Sequence, residues 1–230
     1  MRKLSRRYKN NIEITKNIVF STLEEAIDIL KKTATTKFVE SVELHANLNI
    51  DPKYADQQLR TTITLPHGIG KQVRIAVLTN EENFEQANLG GADNVGNDEL
   101  IESITKGNLN FDLLIATTNM MPKLAKLGRV LGPKGLMPSP KSGTVTNNLT
   151  ETLAEFKKGK FEYKADKTGV VHVNFGKVDF TPNQLCDNLV ALYSSIEQNR
   201  PSGVKGKYFK SLFICTTMGP SIKLDLDLFN

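Results

Sequence analysis

Apolar and polar positions change their rhythm along this chain, and the changes divide it. Val42, Leu44, Ala46, Leu48 and Ile50 alternate with Glu43, His45, Asn47 and Asn49. A period of two predicts a strand with one face wet. After a turn at Asp51-Pro52 the alternation returns in Leu59, Thr61, Ile63 and Leu65, with Arg60, Thr62 and Thr64 on the wet side. Ahead of both strands, Ser21-Thr22-Leu23-Glu24 reads as a capping box that opens a helix. Leu23, Ala26, Ile27 and Leu30 form its apolar face.

Past Pro66-His67-Gly68-Ile69-Gly70 the rhythm is different. Residues 72–79 and 111–118 are nearly continuous apolar strands of the kind buried on both faces. Between them Asn80 and Asn97 cap short helices, and residues 93–95 are a further strand candidate. A short helix carrying Leu124, Leu127 and Leu131 follows, then a last one over residues 149–158. Strand and helix alternate here, which predicts a small parallel α/β layer. From Lys160 the antiparallel style resumes. Asp166-Lys167-Thr168-Gly169 turns a hairpin, and Thr181-Pro182 starts a helix with the stripe Leu185, Leu189, Leu192 and Ile196. Two strands joined by Thr217-Met218-Gly219-Pro220 close the chain.

Neither flank has the elements to bury a core alone, but together they make strands covered by two helices. The expected fold is therefore a discontinuous α+β domain, residues 1–67 plus 159–230, interrupted by an α/β insertion, residues 68–158. Glycine at both crossings suggests a hinge.

Charge sharpens this division. The chain has 230 residues and net charge +5. Between Ala76 and Thr118 there are eight acids against Lys106 alone, a local balance of −7 that leaves +12 for the remainder. Such asymmetry points to one part meeting a polyanion. Arg2, Lys3, Arg6, Arg7 and Lys9 crowd the N-terminus and predict no element, only a basic arm or a solvated charge run. The apolar runs are far shorter than the ~20 residues that span a bilayer, so no membrane association is expected. Cys186 and Cys215 show no metal or redox spacing and are expected as packed thiols in a reducing compartment.

The stretch 126–145 stands apart. It carries Gly128, Gly132, Gly135 and Gly143, with Pro133, Pro138 and Pro140, and its charges Lys126, Arg129, Lys134 and Lys141 face no acid. We expect a shaped, basic docking loop rather than a solvated connector, because long irregular stretches in compact domains are usually functional.

Catalytic chemistry is missing. Gly68-Ile69-Gly70 precedes a strand rather than following one, Gly90-Gly91 follows a helix, and no phosphate loop occurs, so no nucleotide cofactor is expected. His45, His67 and His172 are separated in sequence, and no metal is expected. RNA-binding chemistry, by contrast, is abundant. Lys157, Lys158, Lys160, Lys164, Lys167, Lys205, Lys207 and Lys210 suit phosphates. Ser41, Thr168, Ser211, Thr216 and Thr217, with the bare backbone of Gly219, suit ribose hydroxyls in a shallow RNA groove. Lys37-Phe38 offers a cation beside a ring that is either core or contact, and Met218 sits at an exposed turn. Nothing resembles a base-reading helix.

At this point the chain resembles the ribosomal protein L-one family from about Thr22 to Leu224. The likeness is carried by Lys37-Phe38 with Ser41-Val42-Glu43, Pro66-His67-Gly68-Ile69-Gly70-Lys71, the stretch 126–145, Asp166-Lys167-Thr168-Gly169, and Ser211 with Thr216-Thr217-Met218-Gly219-Pro220. The resemblance implies a discontinuous domain that holds large-subunit rRNA at the mobile stalk, and an inserted Rossmann-like three-layer α/β domain. It implies no enzyme activity, help in releasing deacylated exit-site tRNA from the ribosome, and, in bacterial members, repression of the protein's own mRNA. The family's RNA contacts fall on Phe38, Ser41, Glu43, Asp166, Thr168, Ser211, Thr217, Met218 and Gly219. Ser41 stands where bacterial relatives often carry threonine, which keeps the hydroxyl and loses a methyl. The short N-terminus rich in lysine and asparagine is similar to that of algal plastid-encoded members, so the expected location is the plastid stroma or a bacterial cytoplasm. An α/β enzyme without a legible motif and a free RNA-binding regulator are the two other readings.

Overall fold

A computed structural model of the chain describes residues 4–16, 18, 20–204 and 206–229. The chain forms two compact units, Met1–Gly70 with Tyr163–Asn230, and Lys71–Glu162. These boundaries lie a few residues beyond the expected 67/68 and 158/159. Asn188 explains the first shift: its side chain accepts from the His67 N–H (3.1 Å) and donates to the Gly68 carbonyl (3.0 Å), fixing both to the first unit.

The first unit contains α1 (Arg6–Thr15), α2 (Leu23–Thr33), β1 (Ser41–Leu48) and β2 (Arg60–Thr64) before the insertion. The second unit follows with β3 (Ile75–Leu78), α3 (Phe84–Leu89), β4 (Asn94–Gly96), α4 (Asp98–Thr105), β5 (Leu113–Ala116), α5 (Met121–Ala125), α6 (Gly128–Leu131) and α7 (Leu149–Lys157). Then β6 (Lys160–Lys164) leads back, and β7 (Val170–Lys177), α8 (Pro182–Gln198), β8 (Phe209–Thr216) and β9 (Ile222–Leu224) complete the first unit.

In the first unit a four-stranded antiparallel sheet has the order β7-β1-β8-β9. Alternation decides its faces. Val42, Leu44, Ala46, Leu48, Val171, Val173, Leu212 and Ile214 are buried, and α2 and α8 pack on that side with Ile27, Leu30, Leu185 and Leu189. The helices start as their residues require. Thr181 accepts from Gln184 N–H while the Gln184 side chain accepts from Thr181 N–H, a full capping box ahead of Pro182. In α2 the cap sits one residue later than expected. Thr22 Oγ1 accepts from Glu25 N–H, and the Glu25 carboxylate accepts from Ser21 N–H. Arg6, Arg7 and Lys9 of the basic N-terminal run, for which no element was expected, lie in α1. Its apolar content is thin, and the buried Asn11 anchors it by donating to the Thr33 carbonyl at 2.7 Å.

In the second unit three parallel strands have the order β4-β3-β5. Ala76, Leu78, Leu114 and Ala116 pack with Ile104, Met120, Leu124 and Leu131. Ile75, Val77 and Ile115 pack instead with Ala87, Leu149, Leu153 and Phe156. Burial on both faces is why these strands read as unbroken apolar runs. Asn80 and Asn97 precede their helices without a side-chain cap, contrary to expectation. The stretch 126–145 is folded along much of its length. Leu127 and Leu131 are buried, α6 occupies its start, and Val145 bridges in parallel to Ala116 at the sheet edge. Its glycines and prolines thus shape a folded segment.

Asp112 ties the start of this unit together. Its carboxylate accepts from Lys71 Nζ (2.9 Å), Arg74 N–H (3.2 Å) and Arg74 Nε (3.2 Å). The Lys71 ammonium foremost, then the Arg74 amide, lower the carboxyl from 3.8 to about 2. A carboxyl with a lowered folded value contributes stability above its unfolded value and loses it as pH falls through the folded one. Asp112→Asn should therefore cost about 1 kcal/mol at neutral pH, the partners being largely solvated. The deficit relative to the parent should vanish as pH falls from 3.8 towards about 2. Denaturant melts of both proteins across that range check this.

Candidate nucleic-acid interface

The face of the antiparallel sheet opposite α2 and α8 carries no packed helix among the described residues. Its side chains follow from strand alternation. Ser41, Glu43, His45 and Asn47 come from β1, His172 and Asn174 from β7, and Ser211, Phe213 and Cys215 from β8. Phe38, Ser41, Glu43, Asp166, Thr168, Ser211, Thr217, Met218 and Gly219 lie on this face or at its two ends, whereas Lys157, Lys158 and Lys160 belong to the second unit and Thr216 is buried.

One end is the start of β1, where Glu40 organises a small cradle. Glu40 is buried, and its carboxylate accepts from Met218 N–H at 2.9 Å and from Thr36 Oγ1 at 2.8 Å. Burial pushes this carboxyl up, but the hydrogen bonds, led by that of Met218, outweigh it and hold it below the ordinary value. Thr217 lies against β1: its hydroxyl accepts from Ser41 N–H (3.1 Å) and donates to the Ser41 carbonyl (3.3 Å). The sequence had shown no such structural duty for Thr217. Gly219 is required for an internal reason as well, since a Cβ there would collide with Thr216 Oγ1. From α1, Arg7 Nη2 donates to the Met218 carbonyl at 3.3 Å. This fixed backbone leaves Phe38, Val39 and Met218 as an exposed apolar shelf; Phe38 is 54% exposed and is no core residue. Lys37 extends beside it, also exposed.

The other end is the β6–β7 hairpin and the Asn47–Ser211 pair, about 20 Å along β1 at a strand's rise of about 3.3 Å per residue. Asp166 Oδ1 accepts from Thr168 N–H and Val170 N–H, both at 2.8 Å, and from Thr168 Oγ1 at 2.7 Å. These bonds, Val170 foremost, hold the carboxyl below its ordinary value. Gly169 has φ +82°, and a Cβ would press on the Ile50 carbonyl at 3.1 Å, so the turn closes only with glycine. Lys167 and Thr168 are exposed at its tip. Lys205 lies outside the described residues, as do Arg2 and Lys3. Lys126, Arg129, Lys134 and Lys141 are all exposed and belong to the second unit.

The middle of the face was missed. His45 and His172, far apart in sequence, sit directly across the β1–β7 pairing with their Nδ1 atoms 2.7 Å apart. His45 Nε2 lies 3.1 Å from Cys215 Sγ on the other neighbour. The alternation in β1 already placed His45 on the wet side, but only the strand register reveals its partners.

The uncovered face thus carries an exposed apolar shelf at one end and a hydrogen-bonded polar hairpin at the other. The chain matches the ribosomal protein L1p/L10e family over residues 30–220. It is 79% identical over 229 residues to "Large ribosomal subunit protein uL1c" of Phaeodactylum tricornutum (strain CCAP 1055/1), covering 100% of both chains. The protein of the same name from Trieres chinensis is 76% identical over the same span. "Large ribosomal subunit protein uL1" of Prochlorococcus marinus (strain AS9601) is 55% identical, with 99% of this chain and 96% of that one covered. The chain belongs to the ribosomal protein L1 family, of the bacterial and plastid type. It is a ribosomal protein and not an enzyme.

Proposed function

We propose that this protein is a constituent of the large ribosomal subunit and holds the subunit's rRNA on the uncovered sheet face of its first unit. The observation that supports this most is the alignment of Ser41, Glu43, Ser211 and Thr217 along one solvent-facing surface, with Phe38 and Met218 beside it on a prebuilt shelf. An aromatic ring can stack on an unpaired base and a flexible thioether can pack beside one, while the hydroxyls and turn backbone reach ribose and phosphate. Lys37, Lys167 and Lys205 supply counter-charge. Glu43 and Asp166 act as acceptors for ribose hydroxyls, which also discriminates RNA from DNA.

The two units act as separate domains, the second a Rossmann-like three-layer insertion that binds no nucleotide. Its exposed Lys126, Arg129, Lys134 and Lys141 are suited to the exit-site tRNA, whose release the protein assists at the mobile stalk. The same sheet face would take a matching fold in the protein's own mRNA. The location in keeping with its relatives is the ribosome of a plastid stroma or a bacterial cytoplasm.

Binding to a stalk rRNA fragment is the test. Affinity should fall steeply with salt, in proportion to the phosphates neutralised. Met218→Ala should weaken it by about 1.5–3 kcal/mol, the scale of burying one methionine side chain, and leave unfolding within about 1 kcal/mol. Thr217→Ala should lower both, because its hydroxyl joins β8 to β1. Salt-insensitive binding, or a Met218→Ala protein that melts early yet binds normally, would overturn this reading.

A further inference from the structure

We infer that the centre of the uncovered face is a zinc-class metal site formed by Glu43, His45 and Cys215, with His172 and Asp166 orienting His45 from behind. No metal was expected from sequence, because these residues are scattered along the chain. The sheet brings them together. Glu43 and His45 are two apart on one strand and therefore share a face, and Cys215 lies directly opposite Glu43 on β8. His45 Nε2 is 3.1 Å from Cys215 Sγ and 3.8 Å from Glu43 Oε2, and all three donor atoms lie within 4.8 Å of one another. Tetrahedral zinc, with bonds of about 2.0–2.3 Å to N, O and S, places neighbouring donors about 3.3–3.6 Å apart. Small side-chain rotations would close the set.

The proton arrangement favours capture. Zinc-binding histidines commonly donate their second ring N–H to an acceptor that fixes the tautomer. Here His45 Nδ1 meets His172 Nδ1 at 2.7 Å, and His172 Nε2 lies 3.8 Å from Asp166 Oδ2. If His172 carries its proton on Nε2, towards Asp166, its Nδ1 accepts from His45 Nδ1–H. The His45 Nε2 lone pair then points at Cys215. Without metal the Cys215 S–H donates to that lone pair. A divalent ion would displace that one proton to solvent and bind the thiolate. Three protein ligands leave a fourth position for water, the arrangement of an open site.

Cobalt(II) is the probe, added to the full chain in the absence of RNA, so that its outcome is independent of the RNA reading. The expected result is saturation at one equivalent, with a thiolate-to-cobalt charge-transfer band that zinc abolishes by displacement. Cys215→Ser should remove the band and His45→Gln should abolish saturable binding. His172→Ala should weaken binding about 10–100-fold as an orienting partner, and Cys186→Ser should change nothing. Zinc should also shield Cys215, but not Cys186, from alkylation in the unmutated protein, a readout that does not depend on any variant folding. No saturable cobalt binding, equal binding by Cys215→Ser, or unshielded Cys215 would each overturn the inference.

Discussion

Asn188→Ala is expected to lower the unfolding free energy by roughly 3 kcal/mol or more, the largest single loss in the first unit. Asn188 is fully buried on α8, and its amide donates to the carbonyls of Phe175 (2.8 Å) and Gly68 (3.0 Å) while accepting from His67 N–H (3.1 Å). One side chain thus satisfies three backbone groups on two segments that no strand ladder pairs. Removing it leaves each group short of a partner, at about 1–3 kcal/mol apiece before relaxation or water entry. Asn188→Asp should also destabilise, since the acceptor survives but both donors are lost. Chemical denaturation measures this, and a loss under about 1 kcal/mol would mean that water replaces the amide.

Ser211→Asp should reduce affinity for stalk rRNA by about a hundred-fold, close to 3 kcal/mol. Ser211 faces solvent from β8 opposite Asn47, at the hairpin end of the uncovered face. A carboxylate there would oppose phosphates, and like charges set together across an interface cost several kcal/mol. Ser211→Ala removes the hydroxyl without adding charge and should cost about tenfold at most. Neither variant disturbs the core, so melting should stay within about 0.5 kcal/mol of the parent. Equal affinities for all three proteins would place the RNA elsewhere.

Much of the fold was legible because burial imposes period. The alternation at Val42–Leu48 gave β1 and its wet side, and the Thr181-Pro182 start gave α8. The unbroken run Ile75–Leu78 signalled a strand buried on both faces. What stayed hidden depends on partners distant in sequence. Helix α1 has little apolar stripe of its own and rests on Asn11 reaching Thr33. The segment 126–145 looked irregular because glycine and proline recur through it, yet Leu131 is buried and Val145 joins the sheet edge. The His45–His172 contact follows from register between strands that are remote in sequence, which no local pattern encodes. Glu40 escaped notice for the same reason, since its acceptor role appears only when the β8–β9 turn is folded onto it.

The most direct test of where the RNA sits is side-chain oxidation footprinting of the intact protein, free and bound to stalk rRNA. Phe38 and Met218 are exposed in the free chain, and Phe213 lies on the same uncovered face. Leu89, 83% exposed on α3 of the second unit, is the internal reference. The expected result is strong protection of Phe38, Met218 and Phe213 on binding, with Leu89 unchanged. If Phe38 and Met218 stay fully reactive in the complex while protection falls on Met121 and Met137 of the second unit, the uncovered sheet face is not the rRNA site.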